Sequence, residues 1–393
     1  MTRLPPIIPR VLKWLGDRRL FGRSEERPVT VAVLGAGHGG LAMAADLARS
    51  GHRVRLWNRS RERLESVLQQ GGIEFQKGSG QAVLVAPEVV TTDPASAIDQ
   101  AQLLMVVVPA TGHRSVAEAV APFLRDGQVV VLNPGRTGGA LEFQATLRTV
   151  GCRADVIVAE ASTFLFAART TEPGHARIYG AKKHVTFAAL PATRNSEVGA
   201  LLNRVYPGCF TPASSVLETS LGNIGAVFHP AIVLLNTGRI EDAAGDFEFY
   251  HRGVTPSVAR MIQAVDTERC RIASALGVPH LTALDWMRVS YGIQEPDIYS
   301  ALRANPGYAG IAAPTTLDHR YLTEDIPTSL VPLASLGHLA GVPTPAIRSL
   351  IELASILHGL DYLAIGRTAE RLGLDRSSVE EITARAAEGS EVA

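Results

Sequence analysis

Cysteine is scarce in this chain: Cys152, Cys209 and Cys270 are the only three in 393 residues. They are odd in number, far apart and without paired spacing, which excludes a disulfide framework and a zinc knuckle; no metal centre is expected, and a reducing cytoplasm suits them. No apolar run approaches the roughly 20 residues that a bilayer span requires, and the N-terminus has no continuous apolar core of a secretory signal. A soluble, cytoplasmic protein without a membrane partner is therefore expected. Neither sign of charge is in excess, with Lys plus Arg and Asp plus Glu at 38 each, so nothing points to nucleic acid.

What is abundant is core. With 46% hydrophobic residues, the chain is long enough for two domains. Residues 1–29 are mildly basic and broken by Pro5, Pro6 and Pro9, and read as an extension with a short amphipathic piece at 11–21. From there β-branched runs alternate with helical stretches, the pattern of a parallel sheet wrapped by helices. Strands are expected at 31–34, 53–57, 83–91, 103–109, 129–132, 155–159 and 184–190. Beyond Pro191 the pattern turns to long helices, including 214–237, one starting at Thr255-Pro256, and 328–339. The last segment, 368–393, reads as a terminal helix with an acidic, disordered end. The expected architecture is an α/β doubly wound, mostly parallel Rossmann domain over 30–192, followed by an all-α domain over 193–387.

Directly behind the first strand stands Gly35-Ala36-Gly37-His38-Gly39-Gly40, followed by a helical stretch and a second strand. Gly35 makes the tight turn, Gly37 lets backbone reach a pyrophosphate and Gly40 allows close helix–strand packing, while the helix N-terminus faces the anion. The turn, His38 and Gly39 included, reads as dinucleotide-binding. The tip of the second strand, where NAD-type folds place a carboxylate for the ribose 2′-hydroxyl, reads Asn58-Arg59-Ser60-Arg61. Nothing there repels a 2′-phosphate, and Arg59 can stack on adenine and donate to that phosphate, so NADPH is favoured and NAD stays compatible. The alternative is a solvated helix that happens to begin with arginines.

Two further loops lie where the nicotinamide half of the cofactor belongs, one opening at Pro109 and one running from Asn133 to Gly139. Arg136 in the second can meet a substrate or cofactor anion, or be a surface arginine on a glycine-rich turn. In the 214–237 helix, Gly222, Gly225, His229 and Asn236 fall on one face, so a single imidazole stands in a nearly bare stripe beside Pro230. This is either a site that admits something or a close helix crossing that contains a histidine. Farther on, Asp325 can be the N-cap of the helix after it and Arg320 a partner for Glu324. His38, His113 and His251 have side chains without a comparable neighbourhood and read as surface or packing residues.

Taken together, Gly35 to Gly40, Asn133-Pro-Gly-Arg136, Glu160-Ala-Ser-Thr163 with Arg169, Asn223 to Pro230, Phe249 to Ser257 and His319 to Pro327 resemble the octopine/nopaline (opine) dehydrogenase family, within the 6-phosphogluconate dehydrogenase-like clan. The resemblance covers roughly residues 30–360. It implies reductive condensation of a 2-keto acid with the amine of an amino acid through an imine, and the reverse. It further implies His229 as the catalytic histidine, Asp325 as its carboxylate partner and Arg320 as the anchor of the keto-acid carboxylate. Asn223 matches a motif position but lies off the His229 face of a continuous helix, which suits supporting or nicotinamide contact. The NADP reading departs from the NADH preference of the best-known animal members. The amine pocket is expected between Tyr291 and Thr316, where Tyr299, Tyr308 and a Gly/Pro-rich loop suggest a mobile wall. A homodimer is compatible with the sequence. Two rival readings are a ketopantoate-type keto or hydroxy-acid dehydrogenase without an amine partner, which would use a lysine absent beyond Lys183, and a non-catalytic NADP(H)-binding protein.

Overall fold

The computed structural model describes residues 28–389. The expected extension up to residue 27, with its amphipathic piece, and the last four residues of the acidic end lie outside them.

Apolar runs buried along their whole length build the centre. β1 (Thr30–Leu34), β6 (Leu103–Val106), β7 (Val129–Leu132) and β8 (Ile157–Ala161) are each fully buried, as befits parallel strands covered on both faces. With β2 (Arg53–Trp57) and β5 (Val89–Thr91) they form a parallel sheet in the order β5-β2-β1-β6-β7-β8, which β11 (Val185–Leu190) continues antiparallel and β12 (Phe210–Pro212) closes parallel to β11. The order reverses at β1, so the crevice beyond the carboxyl ends of β1 and β6 is the ligand position of such a sheet.

The helix His38–Arg49 is buried from Gly40 to Leu47. The reason is a second sheet that sequence reasoning missed, in the order β4-β3-β10-β9, built from β3 (Ile73–Lys77), β4 (Val83–Val85), β9 (Phe166–Arg169) and β10 (His175–Ala181). Its Phe75, Phe166, Ala176 and Ile178 share one core with Leu41, Met43 and Leu47 of the helix. The helix is thus clamped between two sheets, which suits its alanine-rich, all-round apolar sequence. The alternation of buried Ile73 and Phe75 with outward Glu74 and Gln76 was the available signal. The single strand expected at 83–91 is two: β4 joins the second sheet and β5 the first, with Pro87, which has no N–H for a ladder, between them.

The sheet also runs on past residue 192. The helix Asn195–Val205 leads into β12, so the sheet side of the chain ends at 212. The expected helix 214–237 is three helices, Val216–Leu221, Gly225–Leu234 and Thr237–Asp242, with Gly222 as the C-cap of the first. Likewise 328–339 starts as a π turn, Ile326–Leu330, before the helix Val331–Leu339; Pro327 and Pro332 both lack the donor that a regular helix would use there. The start at Thr255-Pro256 is as expected: the Thr255 side chain caps the helix Pro256–Ala275. The terminal helix is confined to Val379–Ala387, opened by a Ser378/Glu381 capping box, and packs back against β11 and the helix Val216–Leu221. All three cysteines are free thiols, and no helix among the described residues is long and apolar enough to cross a membrane.

Candidate active site at the seam of sheet and helices

The glycine turn is shaped as its sequence requires. Gly35 has φ +123°, and a Cβ there would lie 2.3 Å from the Val107 carbonyl oxygen; a Cβ on Gly40 would lie 1.7 Å from the Gly35 oxygen. Gly37 is the N-cap of the helix His38–Arg49 without a capping side chain, and a Cβ there would meet nothing within 4 Å. An uncapped helix start therefore faces open space, which fits a pyrophosphate. Gly39 lies under the Phe164 ring, and the imidazole of His38 accepts the Thr170 N–H at Nδ1, 2.9 Å. At the tip of β2, Asn58 is spent on the turn itself: its Oδ1 accepts from Ala36 N–H at 3.1 Å and its amide donates to the Ser60 carbonyl at 3.0 Å. Ser60 is half-buried behind it, and Arg59 stands exposed with no carboxylate partner among the described residues.

Across the crevice, His229 on the helix Gly225–Leu234 places Nδ1 2.7 Å from Oδ2 of Asp325 and Nε2 3.1 Å from the Tyr250 hydroxyl. Tyr321 stacks on the imidazole at 4.0 Å. Asp325 occupies the N-cap position of the π turn but makes no capping bond, so its carboxylate serves the histidine instead. Burial by itself would raise the Asp325 carboxyl, but Arg136, the bond to His229 and Arg320 outweigh it and hold the group below the usual carboxylate range. An ionised Asp325 accepts from Nδ1–H, which leaves Nε2 of the neutral ring to accept from Tyr250. Burial raises the phenol of Tyr250, so it stays protonated.

Arg136 joins this group from the sheet side. It sits at φ +61°, an unusual conformation for a residue with a side chain, and reaches Asp325 Oδ1 and Glu324 Oε2 at 3.4 Å each. A Cβ on Gly225 would stand 3.1 Å from Nη1 of Arg136 and 3.3 Å from the His229 ring. The bare stripe around the histidine thus admits a guanidinium. Its other members have different work: Gly222 ends a helix, and Asn236 bonds the Ile232 and Gly253 carbonyls at 2.8 Å each. Arg320 places Nε 2.9 Å from Glu324 Oε2, the partner foreseen for it, while its side chain is 58% exposed.

Three residues hold the seam; sequence reasoning foresaw Glu324 only as a partner for Arg320 and gave Arg367 and Tyr250 no role. Glu324 is buried and takes the Ala110 N–H at 2.9 Å as well as the two arginines. Arg367, 1% exposed, bonds Glu142 at 2.6 Å, the carbonyls of Ala110, Gly135 and Thr137 at 2.9 to 3.1 Å, and Nδ1 of His113 at 2.8 Å. It therefore ties the loop opening at Pro109 to the loop 133–139. Tyr250 is the third. His113 proves to be a packing residue held neutral by burial and by Arg367 and Arg136, and His251 bonds the Asn305 carbonyl at 3.2 Å. Asn133 turns its amide back to the Val131 carbonyl at 2.8 Å, and Asn223, in the break before His229, bridges Thr137 at 3.3 Å and Ser329 at 2.9 Å. Both amides support loops. Glu160 lies buried under Gly135; burial raises its carboxyl, against bonds from Thr219, Ala140 and Ser220.

The loop expected as a mobile wall is tied down. Phe249 N–H donates to the Ile311 carbonyl at 2.7 Å and Ala313 N–H to the Phe247 carbonyl at 2.9 Å. Tyr308 stacks on Tyr250 at 4.0 Å with Tyr291 at its edge, whereas Tyr299 sits under the Arg303 guanidinium.

Residues 212–358 match the family model for the NAD/NADP octopine/nopaline dehydrogenase alpha-helical domain, and residues 31–192 match that of ketopantoate reductase PanE/ApbA. An opine dehydrogenase of Arthrobacter sp. (strain 1C) is 40% identical over 358 residues, covering 89% of this chain and 99% of that protein. The chain belongs to the opine dehydrogenase family. Octopine dehydrogenase solved with NADH and L-arginine shares the fold with a TM-score of 0.77 at 25% identity, covering 93% of this chain and 99% of that one. The same enzyme solved with NADH and pyruvate gives 0.73 at 26%, with the same coverage. The Rossmann domain, the helical domain and the oxidoreductase class are those of the family.

Proposed function

We propose that this enzyme condenses a 2-keto acid with the amine of an amino acid and reduces the resulting imine to an N-(carboxyalkyl) amino acid, with NADPH preferred over NADH. The observation that carries the reading is the 2.7 Å bond between His229 and a buried, ionised Asp325, facing the crevice at the carboxyl ends of β1 and β6. Asp325 fixes the ring tautomer and stabilises the imidazolium, which makes His229 an acid for loss of the carbinolamine hydroxyl and a base in reverse. Arg320 offers outward N–H donors to the keto-acid carboxylate while Glu324 orients it. The crevice would hold a reduced nicotinamide, which would supply the hydride for the imine carbon when bound. Arg136 shares Asp325 and Glu324 and holds the two acids in place. The glycine turn, Gly35 to Gly40, takes the pyrophosphate, and Pro109 and Asn133 frame the nicotinamide end.

The NADPH preference rests on Arg59 and on the lack of a carboxylate at Asn58-Arg59-Ser60. Pyruvate and arginine, with which octopine dehydrogenase was solved, are the first substrates to try. A mass-spectrometric screen of keto-acid and amine pairs with NADPH and NADH tests the reading: product containing both partners supports it. The match of 31–192 to ketopantoate reductase favours one rival, turnover of keto acid without amine, and that result would replace the proposal. Arg320→Ala is expected to raise the keto-acid KM by at least about tenfold, the worth of a charged hydrogen bond, and an unchanged KM would remove the residue from substrate binding.

A further inference from the structure

The nitrogen of His229 that faces away from Asp325 is already occupied. Nδ1 is committed to Asp325, and Tyr321 covers a face of the ring at 4.0 Å. The remaining hydrogen-bonding direction of the imidazole, along Nε2, ends on the Tyr250 hydroxyl at 3.1 Å. A proton leaving His229 on that side must pass through this oxygen or wait for it to move. The ring of Tyr250 is poorly placed to move: it is 5% exposed, stacked on Tyr308 at 4.0 Å and packed edge-on against Phe249 at 4.9 Å. Its oxygen, by contrast, has one donor hydrogen and two acceptor positions, so it can take a proton from Nε2 and give its own to a third atom at once.

We infer that Tyr250 is a catalytic residue, the hydroxyl through which His229 exchanges its proton with the reacting atom of the substrate. The inference rests on the condensation proposed above and names one of its steps. In the forward direction the N–H bond at Nε2 of the imidazolium breaks as its proton joins the Tyr250 oxygen. The phenolic proton moves to the hydroxyl oxygen of the carbinolamine, whose C–O bond breaks as the nitrogen lone pair forms the C=N bond and water leaves. His229 ends neutral and Tyr250 ends as the phenol it began as. A tyrosinate never forms, in keeping with a buried phenol whose ionised form is strongly disfavoured. Tyr308 is the platform that keeps the oxygen in line.

Tyr250→Phe deletes the hydroxyl and keeps the stacking ring. Its kcat is expected to fall about a hundredfold, the lower range for loss of a positioned acid, with keto-acid and amine KM values within about twofold because uniform binding is untouched. Single-turnover rates of the unsubstituted enzyme in mixtures of light and heavy water should bend below a straight line, as two protons in flight require. A straight line, or a Tyr250→Phe enzyme that keeps its kcat, overturns the relay in favour of direct transfer from His229. A third readout needs no turnover and no cofactor: in ¹⁵N-histidine-labelled protein the Nε2 signal of His229 should move in Tyr250→Phe toward that of a ring nitrogen without a hydrogen-bond donor. An identical signal in both proteins overturns the contact itself. Failure of the proposed function would look different, as no turnover by the unsubstituted enzyme with any pair while that shift is still present.

Discussion

The glycine turn and the histidine site are two ends of one crevice, built in opposite ways. The turn is local: six consecutive residues running from the end of β1 into the first turn of the helix His38–Arg49 create it, with the Asn58 amide and the Thr170 N–H among its distant ties. The histidine site is assembled from Arg136 on the sheet side, His229 and Tyr250 in the helical part, and Arg320, Glu324 and Asp325 nearly a hundred residues later, with Arg367 fastening the loops beneath. The local end is held by backbone shape, where a single methyl group is too much. The assembled end is held by charge, where removal of one partner strands another in a buried place. The two should therefore fail differently.

Asp325→Asn tests the assembled end most severely. It keeps the shape but loses the charge that sets the histidine tautomer, and kcat is expected to fall about a thousandfold, while dinucleotide affinity by fluorescence titration holds. A joint loss of both would erase the distinction between the ends. Arg367→Met leaves the buried Glu142 with Arg371 alone, 2.6 Å away, and unties the two loops; about 3 kcal/mol of stability should go, the lower range for a broken buried pair, measured by denaturant unfolding. Retention of stability would show that the loops stand without that arginine.

At the local end, Gly40→Ala sets a Cβ against backbone that has no way to yield, at an expected cost of about 3 kcal/mol, the upper range for overpacking. Dinucleotide binding should weaken with it, read by thermal melting and titration; a variant that melts and binds normally would mean that the turn is looser than its geometry. The smallest effect sharpens the turn's chemistry: Arg59→Ala should lower the NADPH-to-NADH ratio of kcat/KM about tenfold, one charged hydrogen bond's worth, and an unmoved ratio would assign that arginine to solvent.

The difference also explains what could be read in advance. The central strands β1, β6 and β7 are near-continuous apolar runs, and the turn carries its glycines in order, so the Rossmann half and its ligand end were legible from pattern alone. The pairings that depend on distance were not. The alternation at 73–77 signalled a strand, but nothing in it announced pairing with 166–181, because that sheet covers a helix whose own neighbours in sequence lie elsewhere. Nothing around 214–237 announced a break, because the reason for it is that Asn223 must reach Thr137 and Ser329, and Gly225 must admit Arg136. Tyr250 and Glu324 were visible within resembling segments, but the sequence attached no role to the first and only the Arg320 pairing to the second, since a hydroxyl or carboxylate acquires its work from what stands opposite.

Residue order alone determined which segments had to be buried, where a phosphate could lie against bare backbone, and which imidazole and acid belonged together by family pattern, for these depend on periodicity, on missing side chains and on motif. Only the tertiary structure decided which nitrogen of that imidazole meets the acid, which guanidinium fills the space beside it, and that a phenol occupies its other side. Those choices depend on distances of about 3 Å between atoms from remote parts of the chain, and the packing of helices against the sheet sets them.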